Sequence, residues 1–209
     1  MVLANAAVKK IMTGREKRIS LSFHSGGEPT CEFDLLKAVA DYSLLEAEKS
    51  GTEVSFEIST NLAFKDETIL DYFIHIHFLI HVSIDGVEKV QNTQRPFING
   101  SATFETVIRN MDYIMNKGGQ ASDRLTVTGY SVNYIIDSVT FLIDSVTFLA
   151  KRYPQLEFIK LEPLETTPQS EKMIGGALNE KAEKRYLWNQ GDVSNIMEFW
   201  KAHDLPSYF

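Results

Sequence analysis

RISLSFHSGGEPT, residues 18–30, alternates apolar and polar side chains as far as His24 and then breaks on Gly26-Gly27. A period of two marks a half-buried strand and paired glycines end one, so a strand over Arg18–His24 is expected to run into a loop. The next segment, Phe33–Lys49, sets Phe33, Leu36, Val39, Ala40 and Leu44 at helical spacing and stops at Ser50-Gly51. Strand, loop and helix in that order make the first part of a βαβ unit.

The pattern repeats outward from there. Glu53–Ser59 (EVSFEIS) and Phe78–Ile84 (FLIHVSI) read as strands, with a short helix over Asp66–Phe73, N-capped by Asp66, between them. Ser101–Asn116 is an amphipathic helix, Arg124–Thr128 a strand, Val132–Arg152 a long helix and Glu157–Leu161 a last strand, while Ala4–Met12 supplies a helix ahead of the first strand. Alternating strands and helices predict an α/β fold with parallel strands, either an open doubly wound sheet or a barrel. Within the long helix IDSVTFL occurs twice in succession, Ile136–Leu142 and Ile143–Leu149. Seven residues are nearly two turns, so the duplication lengthens the helix by about 10 Å with its apolar stripe in phase, and no function is assigned to it. The body spans residues 1–165. Residues 166–209 form a linker, marked by Thr166, Thr167, Pro168 and Gly175-Gly176, followed by a helical segment over Val193–His203.

Composition narrows the function. A chain of 209 residues with 44% apolar and 11% aromatic content can bury a sizeable core. A net charge of −7 argues against nucleic acid or an anionic membrane as partner and points to small molecules or proteins. No apolar run reaches the roughly 18 residues of a membrane span, and the first residues lack the apolar stretch of a signal peptide, which predicts a cytoplasmic protein. The single cysteine, Cys31, excludes an intrachain disulfide and a multi-cysteine metal site built from this chain alone, and it reads as a small buried hydrophobe. His75, His77 and His81 stand two and four apart. The first two fall in a helix-to-strand connection and the third inside a strand with no evident acidic partner, so no metal site is assigned.

Ligands of parallel α/β proteins gather at the carboxyl ends of strands. Three such ends carry polar clusters: His24-Ser25-Gly26-Gly27-Glu28-Pro29, Ser59-Thr60-Asn61 and Ser83-Ile84-Asp85-Gly86. Each alone is ordinary loop chemistry; three in succession point at one cavity, with Glu28 an acceptor for an ammonium group.

The order FHSGGEPT, ISTN, VSIDG, QRP and GSATFETVIRN resembles the radical S-adenosylmethionine (SAM) enzymes, and most of all the anaerobic sulfatase-maturating and peptide-modifying branch, over roughly residues 4–165. The resemblance implies a partial (β/α) barrel of about five parallel strands with the first strand missing, related to the TIM barrel. It implies SAM as cofactor and a peptide or protein substrate from which hydrogen is abstracted. By the same resemblance Gly26, Gly27 and Glu28 hold the amino group of SAM, Ser59 and Asn61 lie near its adenosine and methionine parts, Ser83 and Asp85 follow the next strand, and Arg95 faces the carboxylate. No catalytic residue is assigned. Two positions depart from the family pattern: Leu62 stands where glycine is usual, and Gln91-Asn92 where a His-Asp pair is usual. The CxxxCxxC loop that ligates the [4Fe–4S] cluster is expected ahead of Ala4, so the chain alone is expected to be inactive, to need a missing N-terminal segment as partner, and to expose an apolar edge at Ile19–Phe23. The alternative is a non-catalytic SAM-binding or scaffold module. An unrelated phosphate-binding barrel would need a glycine-rich loop after a late strand, which Leu161-Glu162-Pro163-Leu164 does not provide.

Overall fold

The computed structural model describes residues 2–14, 16–24, 26–127, 145, 148–156 and 159–163. Helix α1 (Val2–Met12) precedes strand β1 (Arg18–Phe23), and a 3-10 turn (Pro29–Glu32) leads into α2 (Phe33–Ser50). Then come β2 (Glu53–Thr60), α3 (Glu67–His75), β3 (Leu79–Ser83), α4 (Glu88–Gln94), α5 (Phe104–Asn116), β4 (Gln120–Val127) and β5 (Ile159–Pro163). The five strands lie in one sheet in the order β1-β2-β3-β4-β5. Arg18 is in register with Glu53, Ile58 with Ile80 and Leu125 with Leu161, and each of these pairings is parallel. A doubly wound sheet would reverse its strand order at a switch point; this order never reverses, which is the sequence of a (β/α) barrel. The α/β class and parallel strands expected from the sequence are therefore present.

The chain divides into two compact units, Met1–Ser83 with Glu105–Ser122, and Ile84–Phe104 with the residues from Asp123 on. Alternation builds the first. On β2, Phe56 and Ile58 are buried while Glu53 and Ser55 face out. The inward row meets Phe78, whose ring lies 4.8 Å from that of Phe73 and 5.2 Å from that of Phe56, beside buried Leu70, Val107, Met111 and Ile114. Burying side chains of this size contributes about 1.5–3 kcal/mol each. A smaller cluster of Val8, Met12 and Ala47 seats α1 and α2 on Ile19 and Val54. In the second unit Ile84, Val90, Leu125, Leu149 and Tyr153 are buried.

Asp66 caps α3 as expected, accepting the Thr68 N–H at 3.0 Å. Other boundaries differ. Strand β4 begins at Gln120, ahead of the expected Arg124, because register with neighbouring strands overrides the weak strand preference of QASD. Helix α5 begins at Phe104, not Ser101. Helix α4 was not anticipated, because seven mostly polar residues carry too little periodicity. Cys31 is exposed rather than buried: the 3-10 turn, started by Pro29, aims it outward while Thr30 takes the inward place. The expected helix over Val132–Arg152 lies mostly outside the described residues, although 148–152 are helical, and the segment 166–209 lies wholly outside them. Strand β1 stands at the edge of the sheet order, with Ile19, Leu21 and Phe23 half-buried. No helix of the described residues is long and apolar enough to cross a membrane.

Candidate functional site

In the first unit the loop after β1 turns through Gly26 and Gly27, whose φ angles are +76° and +136°. A side chain would be strained there, so the two glycines set the loop's path. The loop delivers Glu28 to the end of β2. Its Oε1 accepts the Thr30 N–H at 3.2 Å, the Thr30 hydroxyl at 2.8 Å and the Thr60 hydroxyl at 2.7 Å, and its Oε2 accepts the Asn61 N–H at 2.8 Å. The sequence places Glu28 and Asn61 in separate clusters; the fold brings them together. Oε2, with a single partner, keeps capacity for a further donor. The loop borders an open cleft of about 620 Å³ whose lining includes Ser22, Phe23, His24, Gly27, Glu28 and Leu36. That is the size of small-molecule sites, which combine apolar walls with a few fixed polar groups.

Thr30 and Thr60 were missed as site residues. Thr60 sits inside the Ser59-Thr60-Asn61 cluster, and strand alternation sends it to the face opposite Ser59, so it reaches Glu28 while half-buried Ser59 does not. Asn61 Oδ1 accepts the Ala63 N–H at 2.8 Å and closes the turn after β2. Between them Leu62 is fully buried at φ +53°, a left-handed conformation that glycine adopts freely and leucine at a cost of about 1–2 kcal/mol. Its side chain fills the core and its carbonyl accepts from Asn110 Nδ2 at 2.9 Å, which holds the strained turn.

His81, buried on β3, places Nδ1 2.6 Å from the Ser122 hydroxyl and Nε2 3.5 Å from the Glu57 carboxylate. The acidic partner that the sequence did not reveal is therefore Glu57, a strand away. His75 and His77 are exposed, and among the described residues no group of three or more His, Cys, Asp or Glu gathers to hold a metal ion.

Ser83 ends β3 half-buried, and the second unit begins beyond it. There Asp85, 2% exposed, accepts Arg95 Nε at 2.8 Å and the Thr126 N–H at 2.9 Å, while Arg95 Nη2 donates to the Thr126 hydroxyl at 2.7 Å. The arginine expected to face a ligand carboxylate is held by a carboxylate of this chain. Gln91 and Asn92, where the resemblance implies a His-Asp pair, are at work beside it. Buried Gln91 accepts the Asp85 N–H at 2.9 Å, and Asn92 Oδ1 accepts the N–H groups of Thr103 and Phe104 at 3.0 and 2.9 Å, satisfying orphan donors at the start of α5. Asp123 is fully buried, and among the described residues no hydrogen bond of good geometry reaches either of its carboxyl oxygens. Burial first and the charge of Asp85 second push its pKa well above the carboxylate range, and Arg95 with nearby backbone amides offsets this only in part.

No protein-family model matches the chain. An uncharacterized protein of Methanocaldococcus jannaschii is 28% identical over 100 residues, 48% of this chain and 33% of that protein. Among solved structures, anSMEcpe with bound AdoMet and the Kp18Cys peptide matches 98% of this chain and 52% of its own, with a TM-score of 0.73 and 19% identity. SuiB of Streptococcus suis bound to S-adenosylmethionine matches 89% of this chain and 36% of its own, at a TM-score of 0.51 and 14% identity. The chain thus spans about half the length of anSMEcpe and a third of the archaeal protein. Its fold is the one those two AdoMet-bound proteins share, and it is the fold implied by the resemblance stated above.

Proposed function

We propose that the chain is the SAM-binding part of a radical SAM enzyme of the sulfatase-maturating and peptide-modifying kind, acting on a peptide or protein substrate. The observation that carries this reading is the Glu28 carboxylate, fixed at the end of β2 and at the border of the cleft by Thr30, Thr60 and Asn61. A positioned carboxylate with spare acceptor capacity suits the ammonium group of SAM's methionine part, and the backbone of Gly26 and Gly27 can approach it without side chains in the way. Ser59 and Asn61 belong to the same strand end; Ser83, Asp85 and Arg95 are assigned to SAM by the resemblance alone. When bound, SAM supplies the radical chemistry of such enzymes.

The residues present do not fit a [4Fe–4S] cluster, which takes several thiolates, because the chain has one cysteine and Cys31 is exposed. In this reading the cluster's ligands come from a CxxxCxxC-bearing segment outside these 209 residues. The same observation favours a second reading, a non-catalytic SAM-binding or scaffold module. A cytoplasmic setting fits the acidic composition and the lone cysteine.

Calorimetry with SAM tests the proposal, first on the chain alone and then, without oxygen, with a cluster-bearing segment supplied in trans. Binding to the chain together with 5′-deoxyadenosine formed only in the mixture supports the enzyme reading. Binding without cleavage supports the non-catalytic module, and a folded chain that binds no SAM sinks both.

A further inference from the structure

The helices α1 and α2 cover Ile19 and Val54, so strand alternation turns Ser20, Ser55 and Glu57 to the other face of the sheet. A row of polar side chains crosses that face within the first unit. Ser20 Oγ donates to Glu57 Oε1 at 3.1 Å, Glu57 Oε2 lies 3.5 Å from His81 Nε2, and His81 Nδ1 lies 2.6 Å from Ser122 Oγ. Exposure grades along the row: the Glu57 side chain is 37% exposed and that of His81 8%, while Ser122 is fully buried. The carboxylate is thus reachable from outside and supported from within. With Ser122 donating to Nδ1, a neutral imidazole keeps an Nε2–H to give to Glu57. Glu53, the neighbouring acid of β2, is taken by Arg18 at 2.6 Å, whereas among the described residues no lysine or arginine pairs with Glu57.

We infer that this face binds a basic side chain of a peptide at the Glu57 carboxylate, with His81 a positioning residue that holds the carboxylate in place. The inference rests on the peptide substrate of the proposed function and names the side-chain class it presents. A carboxylate has about four lone-pair sites. Ser20 occupies one of them and His81 Nε2 stands 3.5 Å from the other oxygen on the protein side, and an ammonium or guanidinium group satisfies the outward ones. Ser122 takes no direct part; it sets the ring.

The test uses the whole chain without SAM and two end-blocked pentapeptides, Gly-Gly-Lys-Gly-Gly and its Nε-acetyl-lysine counterpart, followed by amide chemical shifts. The lysine peptide is expected to shift Ser20 and Glu57 and to bind roughly three- to fivefold tighter than the acetylated one, the size of a partly exposed ion pair. Glu57→Gln removes that preference, and Glu57→Asp, which keeps the charge on a shorter arm, weakens it. His81→Asn, which still offers a donor, retains the preference and His81→Leu loses it, with amide dispersion checking the fold of each variant. Equal binding of the two peptides, binding of neither, or a preference that survives Glu57→Gln overturns the inference, and a preference that survives His81→Leu overturns the role of His81. Failure of SAM binding by the unaltered chain is a separate outcome, which sinks the proposed function and not this one.

Discussion

Glu28 Oε2 accepts the backbone N–H of Asn61 at 2.8 Å, so the acid that closes the glycine loop is tied to the first residue beyond β2. Glu28→Ala leaves the Thr60 hydroxyl and the Asn61 N–H without their acceptor, at a cost of about 2 kcal/mol in urea unfolding. Glu28→Gln keeps the shape and loses the charge. Calorimetry is expected to show SAM affinity falling at least about tenfold in this variant, the scale of one charge-assisted hydrogen bond.

Leu62 carries two opposed effects, left-handed strain and full burial. Leu62→Ala keeps the strain and gives up the burial, which costs about 2–5 kcal/mol. Leu62→Gly gives up the burial and relieves the strain, so it is expected to be the more stable of the two by about 1 kcal/mol. Ordinarily glycine is the worse substitution; the reverse order in urea titrations checks the φ angle directly.

Arg95→Ala strands the buried Asp85 carboxylate and is expected to destabilise the chain by about 3 kcal/mol. Adding Asp85→Asn removes the stranded charge. The double variant should therefore be more stable than Arg95→Ala alone, and a double variant that is less stable would mean that the two residues act independently.

Asp123 has a folded pKa raised by burial and by Asp85. Below the unfolded carboxyl value near 3.8 both states are protonated and the group contributes nothing. As pH rises past that value the unfolded chain ionises while the folded one resists, so native stability falls until the folded pKa is reached. Asp123→Asn removes this slope: unfolding at pH 3 is expected to match the parent within error, and at pH 7 the variant is expected to be the more stable.

Asn92→Ala removes the acceptor of the Thr103 and Phe104 N–H groups. Loss of a helix cap costs about 1 kcal/mol, and hydrogen exchange at the first turn of α5 should quicken before the global rate changes.

The strand ends were legible because each rests on local signals: alternation through β1 and β2, paired glycines after β1, and Asp66 one residue ahead of α3. The Asp85–Arg95 pairing was only half legible. Both residues stood out, yet nothing local shows that the guanidinium is bound by the acid ten residues back rather than open to a ligand. The row from Ser20 to Ser122 was invisible because its members lie on four strands, and only parallel register brings Glu57 under His81. Cys31 misled for the opposite reason: cysteine is usually buried, and one turn of 3-10 helix set its direction against that tendency.

The resemblance implies a glycine where Leu62 stands, and the backbone there has a left-handed angle. Leu62 meets the angle with the wrong letter, because a filled cavity and the Asn110 amide hold it there. Residue identity marks Leu62 as a departure from the pattern the resemblance implies, whereas its φ of +53° is one that glycine adopts freely. At this turn the backbone angle is therefore kept by packing and not by the residue's own freedom.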